Sequence, residues 1–80
     1  MALTEQELKL ARFFVKREGE GVLDVIKDID FTEQGLLDSL DMVTLAVFVE
    51  QEFGRKLDLT DPGVMKAMSR FDSLYQLACG

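Results

Sequence analysis

The chain has 80 residues, 48% of them apolar, with fifteen acids against nine bases, a formal net charge of −6 and no histidine. That length suits one domain, residues 1–80, around a single core. The acidic balance argues against a nucleic-acid binder, which needs a basic face, and against adsorption to anionic membranes, and no apolar run approaches the roughly 18 residues of a membrane span.

Read in chain order, the start carries acids in its first seven residues and no basic n-region, so it does not read as a secretory leader, and a cytoplasmic protein is expected. Thr4 and Glu7 form a capping box that opens a first helix over 5–17. Leu8, Ala11, Phe14 and Val15 give its apolar stripe, and Leu10 and Phe13 widen it. Lys16 and Arg17 suit the last turn, and Gly19 and Gly21 stop the helix.

Residues 19–37 read as a long connection with a short helical turn around 23–26. It is held down by Val22, Leu23, Val25, Ile26, Ile29 and Phe31. A structureless stretch of that length inside a compact domain is often functional.

The second helix is predicted over 39–53. Asp38 is its N-cap, Asp41 stands in its first turn, and Gly54 fits the position after its end. Leu45, Val49 and Phe53, widened by Ala46, make its core stripe; Met42, Val43 and Val47 are placed toward its outer side or margin. Asp61-Pro62 reads as N-cap and first helical residue of a short third helix over 62–67, with Val64, Met65 and Met68 as its apolar positions. A last helix is capped within 69–72 and runs to about residue 78 on Phe71, Leu74, Tyr75, Leu77 and Ala78. The fold class is therefore all-α, a small four-helix bundle with a long first loop and a short third helix.

Much chemistry is excluded by residue type. Without histidine there is no Ser-His-Asp or Cys-His nucleophile and no Cys/His zinc site, and one cysteine, Cys79, forms no intrachain disulfide. No phosphate-binding glycine loop is present. The acids at 24, 28 and 30 do not follow the EF-hand spacing. Enzymatic activity and a resident metal are not expected.

Ser39 stands out, at the mouth of the second helix directly after Asp38. First-turn amides and the helix dipole tolerate a phosphodiester there. Asp38 and Asp41 oppose it by like charge, and they also suit a divalent ion held for an incoming phosphoryl donor. Serine is also a common helix-start residue, and Asp38 and Asp41 read as ordinary caps, so spacing alone favours the ordinary helix-start reading.

The stretch 35–43, Gly-Leu-Leu-Asp-Ser-Leu-Asp-Met-Val, resembles the phosphopantetheine attachment motif of the acyl carrier protein family, which includes peptidyl and aminoacyl carriers. The likeness continues through Leu45, Glu50, Glu52 and Phe53 and extends to the layout of the four helices. It implies that Ser39 carries covalent 4′-phosphopantetheine derived from coenzyme A. It also implies a carrier that tethers acyl or aminoacyl thioesters and presents them to enzymes. Asp-Ser-Leu recurs at 72–74, in the position of the family's structural last helix, so Ser39 and not Ser73 is the expected site. Thr44 stands where many fatty-acid carriers have an acid, and Phe48 where a smaller residue is common. Gly35-Leu36-Leu37 looks more like stand-alone aminoacyl or D-alanyl carriers and some biosynthetic-pathway carriers than like those of bulk fatty-acid synthesis.

Between Asp28 and Gly54 the chain has seven acids and no base. Such a field steers partners with basic patches. The expected partners are a phosphopantetheinyl transferase, a loading enzyme and a downstream synthase or transferase. The expected contact residues are Asp38, Leu40, Asp41, Met42, Val43, Val47 and Glu50 on a monomer. Crowded phenylalanines at 14, 48, 53 and 71 point to a small acyl or aminoacyl cargo. The competing expectation is a cofactor-free acidic adaptor that uses the second helix as its binding surface.

Overall fold

The computed structural model describes residues 3–79. Met1 and Ala2, the first two residues of the stretch read above for a leader, and Gly80 lie outside them. Among the described residues there are four α-helices, α1 (Glu5–Glu18), α2 (Ser39–Phe53), α3 (Pro62–Ala67) and α4 (Phe71–Cys79), with a 3₁₀ turn at Glu20–Asp24.

The caps set these boundaries. Thr4 Oγ1 accepts from the Glu7 amide at 3.2 Å, and the Glu7 carboxylate accepts from the Thr4 amide at 2.9 Å. Asp61 accepts from the Gly63 amide at 2.8 Å, ahead of proline in the first turn of α3. At the end of α2, Gly54 adopts φ 69° and ψ 18°, the left-handed conformation that suits glycine, and its amide closes on the Glu50 carbonyl.

One contiguous core joins the helices, with Phe14, Phe31, Phe71, Leu10, Ile26, Leu45, Met68, Leu74 and Val49 fully buried. Phe14 and Phe31 stack with ring centroids 4.2 Å apart.

The stripe predicted for α1 is rotated. Its buried residues are Leu10, Ala11, Phe13 and Phe14, whereas Leu8 is 42% exposed and Val15 half-buried. At 100° per residue the arc of residues 10, 11, 13 and 14 centres between Leu10 and Phe14, which leaves Val15 and Leu8 beyond its edge, roughly 120° and 140° from the centre.

The connection from 19 to 38 contains more order than periodicity reveals. Its helical turn begins three residues earlier than expected, at Glu20, immediately after Gly19 at φ 89°. Val22, Ile26, Phe31 and Leu37 are its buried anchors, whereas Val25 is exposed. The Phe31 amide donates to the Ser69 carbonyl at 2.6 Å, and Asp30 forms an isolated bridge with Arg70. These contacts fasten the connection to the α3–α4 junction. The Asp30 carboxylate then closes the next turn, accepting from the Thr32 and Glu33 amides at 3.0 Å each and from the Thr32 hydroxyl at 2.6 Å. A loop tied down in this way delivers Leu37, and hence the start of α2, to a defined place.

Candidate functional site

The site is the first turn of α2. Asp38 is its N-cap, with extended backbone at φ −110°. Its carboxylate accepts from the Asp41 amide at 2.8 Å, and the Asp41 carboxylate accepts from the Asp38 amide at 3.2 Å. The Asp41 amide, more than any other group, holds the Asp38 carboxyl below the ordinary carboxylate range. Ser39 sits between the two carboxylates in sequence and is exposed.

This capping box changes two expectations. The first-turn amides are not an open anion cradle, because the Asp38 carboxylate already engages the Asp41 amide among them. Asp38 and Asp41 are likewise committed to the cap, and no cluster of three or more metal-ligating side chains occurs among the described residues.

The two Asp-Ser-Leu copies differ sharply. Ser73 is half-buried, and its hydroxyl donates to the Ala67 carbonyl at 2.5 Å and lies 3.2 Å from the Arg70 carbonyl. Its oxygen is thereby tied into the α3–α4 junction. The Ser39 hydroxyl has no hydrogen-bond partner among the described residues. Of the two serines, only Ser39 presents a side-chain oxygen that another molecule can reach without breaking structure.

Beyond Ser39, α2 has apolar residues on two opposite sides. Met42, Leu45 and Val49 are buried, and Phe53 at the helix end is half-buried. Met42 was expected on the outer side and is instead only 4% exposed, within the core. The reason is its spacing: it lies three residues before Leu45 and seven before Val49, on the core arc. On the far side, Leu40 is 78%, Val43 51% and Val47 46% exposed, and Glu50 is exposed as well. These four fall at successive spacings of three, four and three, a single stripe running from beside Ser39 to the last turn. The structure therefore brings Leu40, Val43, Val47 and Glu50 together on the surface, keeps Asp38 at the cap, and removes Met42 from that face.

Asp41 lies on neither side. It pairs with Arg17 from the last turn of α1. The Arg17 guanidinium also lies over the Phe13 ring, 5.2 Å from its centroid. Four residues earlier along α1, Phe13 meets Phe48 with centroids 5.6 Å apart, and four earlier again, Lys9 lies 5.1 Å over the Phe53 ring. The antiparallel series Arg17–Asp41, Phe13–Phe48 and Lys9–Phe53 fastens α2 to α1 along its length. Sequence reasoning treated Arg17 as a partner of its own helix dipole and missed this role. The available signal was the four-residue spacing of Lys9, Phe13 and Arg17.

No helix among the described residues is long and apolar enough to cross a membrane. No protein-family model matches the chain, and no solved structure matches it.

Proposed function

We propose that this protein is a stand-alone acyl or aminoacyl carrier whose 4′-phosphopantetheine arm is attached to Ser39. The observation that carries the reading is the contrast between the two Asp-Ser-Leu serines. Ser39 is exposed and unbonded at the start of a 15-residue capped helix, and Ser73 is bonded to two backbone carbonyls. In the modification, the Ser39 hydroxyl oxygen forms a new bond to the phosphorus bearing the pantetheine of coenzyme A. The pyrophosphate linkage breaks, adenosine 3′,5′-bisphosphate leaves, and the serine proton passes to the transferase or to solvent. The arm supplies a terminal thiol that holds the cargo as a thioester. The protein's own contribution is effective concentration and presentation. Leu40, Val43, Val47 and Glu50 form the contact stripe for transferase, loading enzyme and downstream synthase, with Asp38 at its head. A core filled by Phe14, Phe31 and Phe71 supports a small cargo carried outside the bundle.

A cofactor-free adaptor is favoured by one observation only, that the same exposed stripe is a binding surface whether or not Ser39 is modified. Intact mass separates the two. Incubation with coenzyme A, magnesium and a broad-specificity phosphopantetheinyl transferase is expected to add about 340 Da, the increment of one phosphopantetheinyl group, to wild type and Ser73→Ala but not to Ser39→Ala. Folded wild type that stays unmodified with two different transferases would leave the adaptor.

A further inference from the structure

The rotation of α1 leaves it a face that the bundle does not use. Leu8, Arg12, Val15 and Lys16 lie within about 100° of one another, centred opposite the arc of Leu10 and Phe14 that enters the core. Leu8 is 42% exposed, Arg12 and Lys16 are exposed, and Val15 is half-buried. A shallow depression on this face is lined by Leu8, Lys9 and Arg12, with Glu5 and Gln6 at its N-terminal rim. Of the four bases on α1, Lys9 and Arg17 turn to α2, onto the Phe53 ring and onto Asp41. The side chains of Arg12 and Lys16 have no ion-pair or hydrogen-bond partner among the described residues, and neither has that of Glu50 on the outward stripe of α2.

α1 and α2 stand side by side and antiparallel, joined through Arg17–Asp41, Phe13–Phe48 and Lys9–Phe53, and both bury into one core. Their outward faces therefore share one side of the molecule, a basic half on α1 beside an apolar and acidic half on α2. We propose that this side is a self-association surface whose occupant is a second copy of the chain, with α1 of each copy lying on α2 of the other. A two-fold axis parallel to the helices and passing between the two halves produces this pairing, and both contacts are then the same contact. Such an axis carries no shift along the helices, so the levels fixed within one chain are kept between chains. Arg12, next to Phe13, comes to the level of Val47 and Glu50, close to Phe48. Lys16, next to Arg17, comes to that of Leu40 and Val43, which flank Asp41. The two-fold perpendicular to the helices instead sets Arg12 and Lys16 against their own copies, and like charges in contact oppose association. Charge thus selects the crossed pairing, and Leu8 meets the exposed valines of α2. Each copy carries a net charge of −6, so the pair is weak and reversible and the stripe stays open to other partners. The proposal needs no modification of Ser39 and stands apart from the carrier reading.

Sedimentation velocity tests it on the unmodified protein. Between about 10 μM and about 1 mM, the span of weak transient pairs, the weight-average mass of wild type is expected to rise above the 9.0 kDa of one chain. The paired reversal Arg12→Glu with Lys16→Glu, and the separate reversal Glu50→Lys, are each expected to weaken association by about tenfold or more, with far-ultraviolet circular dichroism reporting an intact fold. An equimolar mixture of the two variants is expected to associate again, because each reversed α1 then meets a reversed α2 and each native α1 a native α2. A second measurement needs no variant: the amide resonances of wild type that move with concentration are expected to cluster over 8–16 on α1 and 40–50 on α2. A wild type that stays monomeric, a reversed variant that associates as strongly as wild type, a mixture no more associated than its components, or shifts confined to one of the two helices overturns the proposal.

Discussion

Met42 and Leu40 stand two residues apart on α2, both apolar, and they are expected to respond to truncation in opposite ways. Met42 is 4% exposed inside the core, and Leu40 is 78% exposed beside Ser39. Truncating a buried methionine removes its transfer free energy and leaves a cavity that the neighbours Leu45 and Val49 only partly refill, at a cost of about 2–5 kcal/mol. An 80-residue domain has a total stability of about 4–12 kcal/mol, so Met42→Ala is expected to lose a large share of it. In midpoint terms each kcal/mol is worth roughly 4–8 °C at this size, so a fall of about 8–40 °C is expected. Leu40→Ala removes little buried surface, and is expected within about 0.5 kcal/mol of wild type. Urea titration followed by far-ultraviolet circular dichroism measures both, with an unchanged slope confirming that stability and not the denatured state has changed. Partner binding, read as the rate of transferase-catalysed modification of folded protein, is expected to show the reverse order, with Leu40→Ala slowed more than Met42→Ala. A Met42→Ala protein within 0.5 kcal/mol of wild type, or a Leu40→Ala protein that is the less stable of the two, would refute the assignment of the two faces.

Ser73→Ala leaves the Ala67 carbonyl without its short hydroxyl partner and is expected to cost about 0.5–1.5 kcal/mol in urea titration while modification at Ser39 proceeds; loss of modification with the fold intact would contradict the assignment of roles. Gly54→Ala meets no atom within 4 Å at its new methyl group, but keeps φ at 69°, so it is expected to cost about 1 kcal/mol through backbone strain alone, and Gly54→Asn less; equal stability of Gly54→Ala and wild type would refute the C-terminal cap. Asp30, held down mainly by the Thr32 hydroxyl, and Asp38 and Asp58, held down mainly by the Asp41 amide and the Thr60 hydroxyl, all ionise below the ordinary aspartate value of 3.8. A depressed folded pKa gives stability that is present above the unfolded value and lost as pH falls through the folded one. Acid unfolding is therefore expected below about pH 4, and the slope of stability against pH in that range is expected to be shallower in Asp30→Asn than in wild type; unchanged slopes would refute the Asp30 turn as a contributor. The Glu7–Lys27 pair at 2.6 Å lowers the Glu7 pKa and raises that of Lys27, so its contribution is expected to span neutral pH and to fade both below the ordinary glutamate value of 4.5 and as pH rises past 10.5; a Lys27→Met protein whose stability follows the wild-type pH curve at both ends would count against it.

The elements most legible in the sequence are those whose ends are set by local chemistry. Asp38 with Asp41 and Gly54 delimit α2, and Asp61-Pro62 opens α3, because caps act over three or four residues and need nothing from the rest of the chain. The connection from 19 to 38 was legible as ordered but not in its detail. What fixes it, the Phe31–Ser69 hydrogen bond and the Asp30–Arg70 bridge, joins residues about forty positions apart, and hydropathy carries no trace of such a contact. The outward placement of Met42 failed for a related reason. α2 is apolar on two sides, so its pattern alone does not say which valine or methionine faces the core, and packing against α1 and α4 decides it. Context in the sequence separates Ser39 from Ser73 as the expected site, and the structure adds a difference that context does not carry, a Ser73 hydroxyl bonded into the α3–α4 junction beside an exposed Ser39.

The charge layout explains why a helix with two apolar sides sits in one orientation. α1 carries Lys9, Arg12, Lys16 and Arg17, and two of these four are spent on α2: Lys9 on the ring of Phe53 at one end, Arg17 on Asp41 at the other. Phe13 and Phe48 fill the span between them. A 15-residue helix is about 22 Å long, and tying both ends to the same neighbour fixes its rotation about its own axis. Rotation is the quantity that decides whether Leu40, Val43 and Val47 or Met42, Leu45 and Val49 face the core, since the two sets differ little in hydrophobicity. Arg17 and Lys9 thus act as register pins in a helix whose own pattern is ambiguous, while the acids on the outward side, Glu50 among them, stay unneutralised by α1. The same two contacts that settle the packing leave the exposed stripe and the Ser39 hydroxyl facing out.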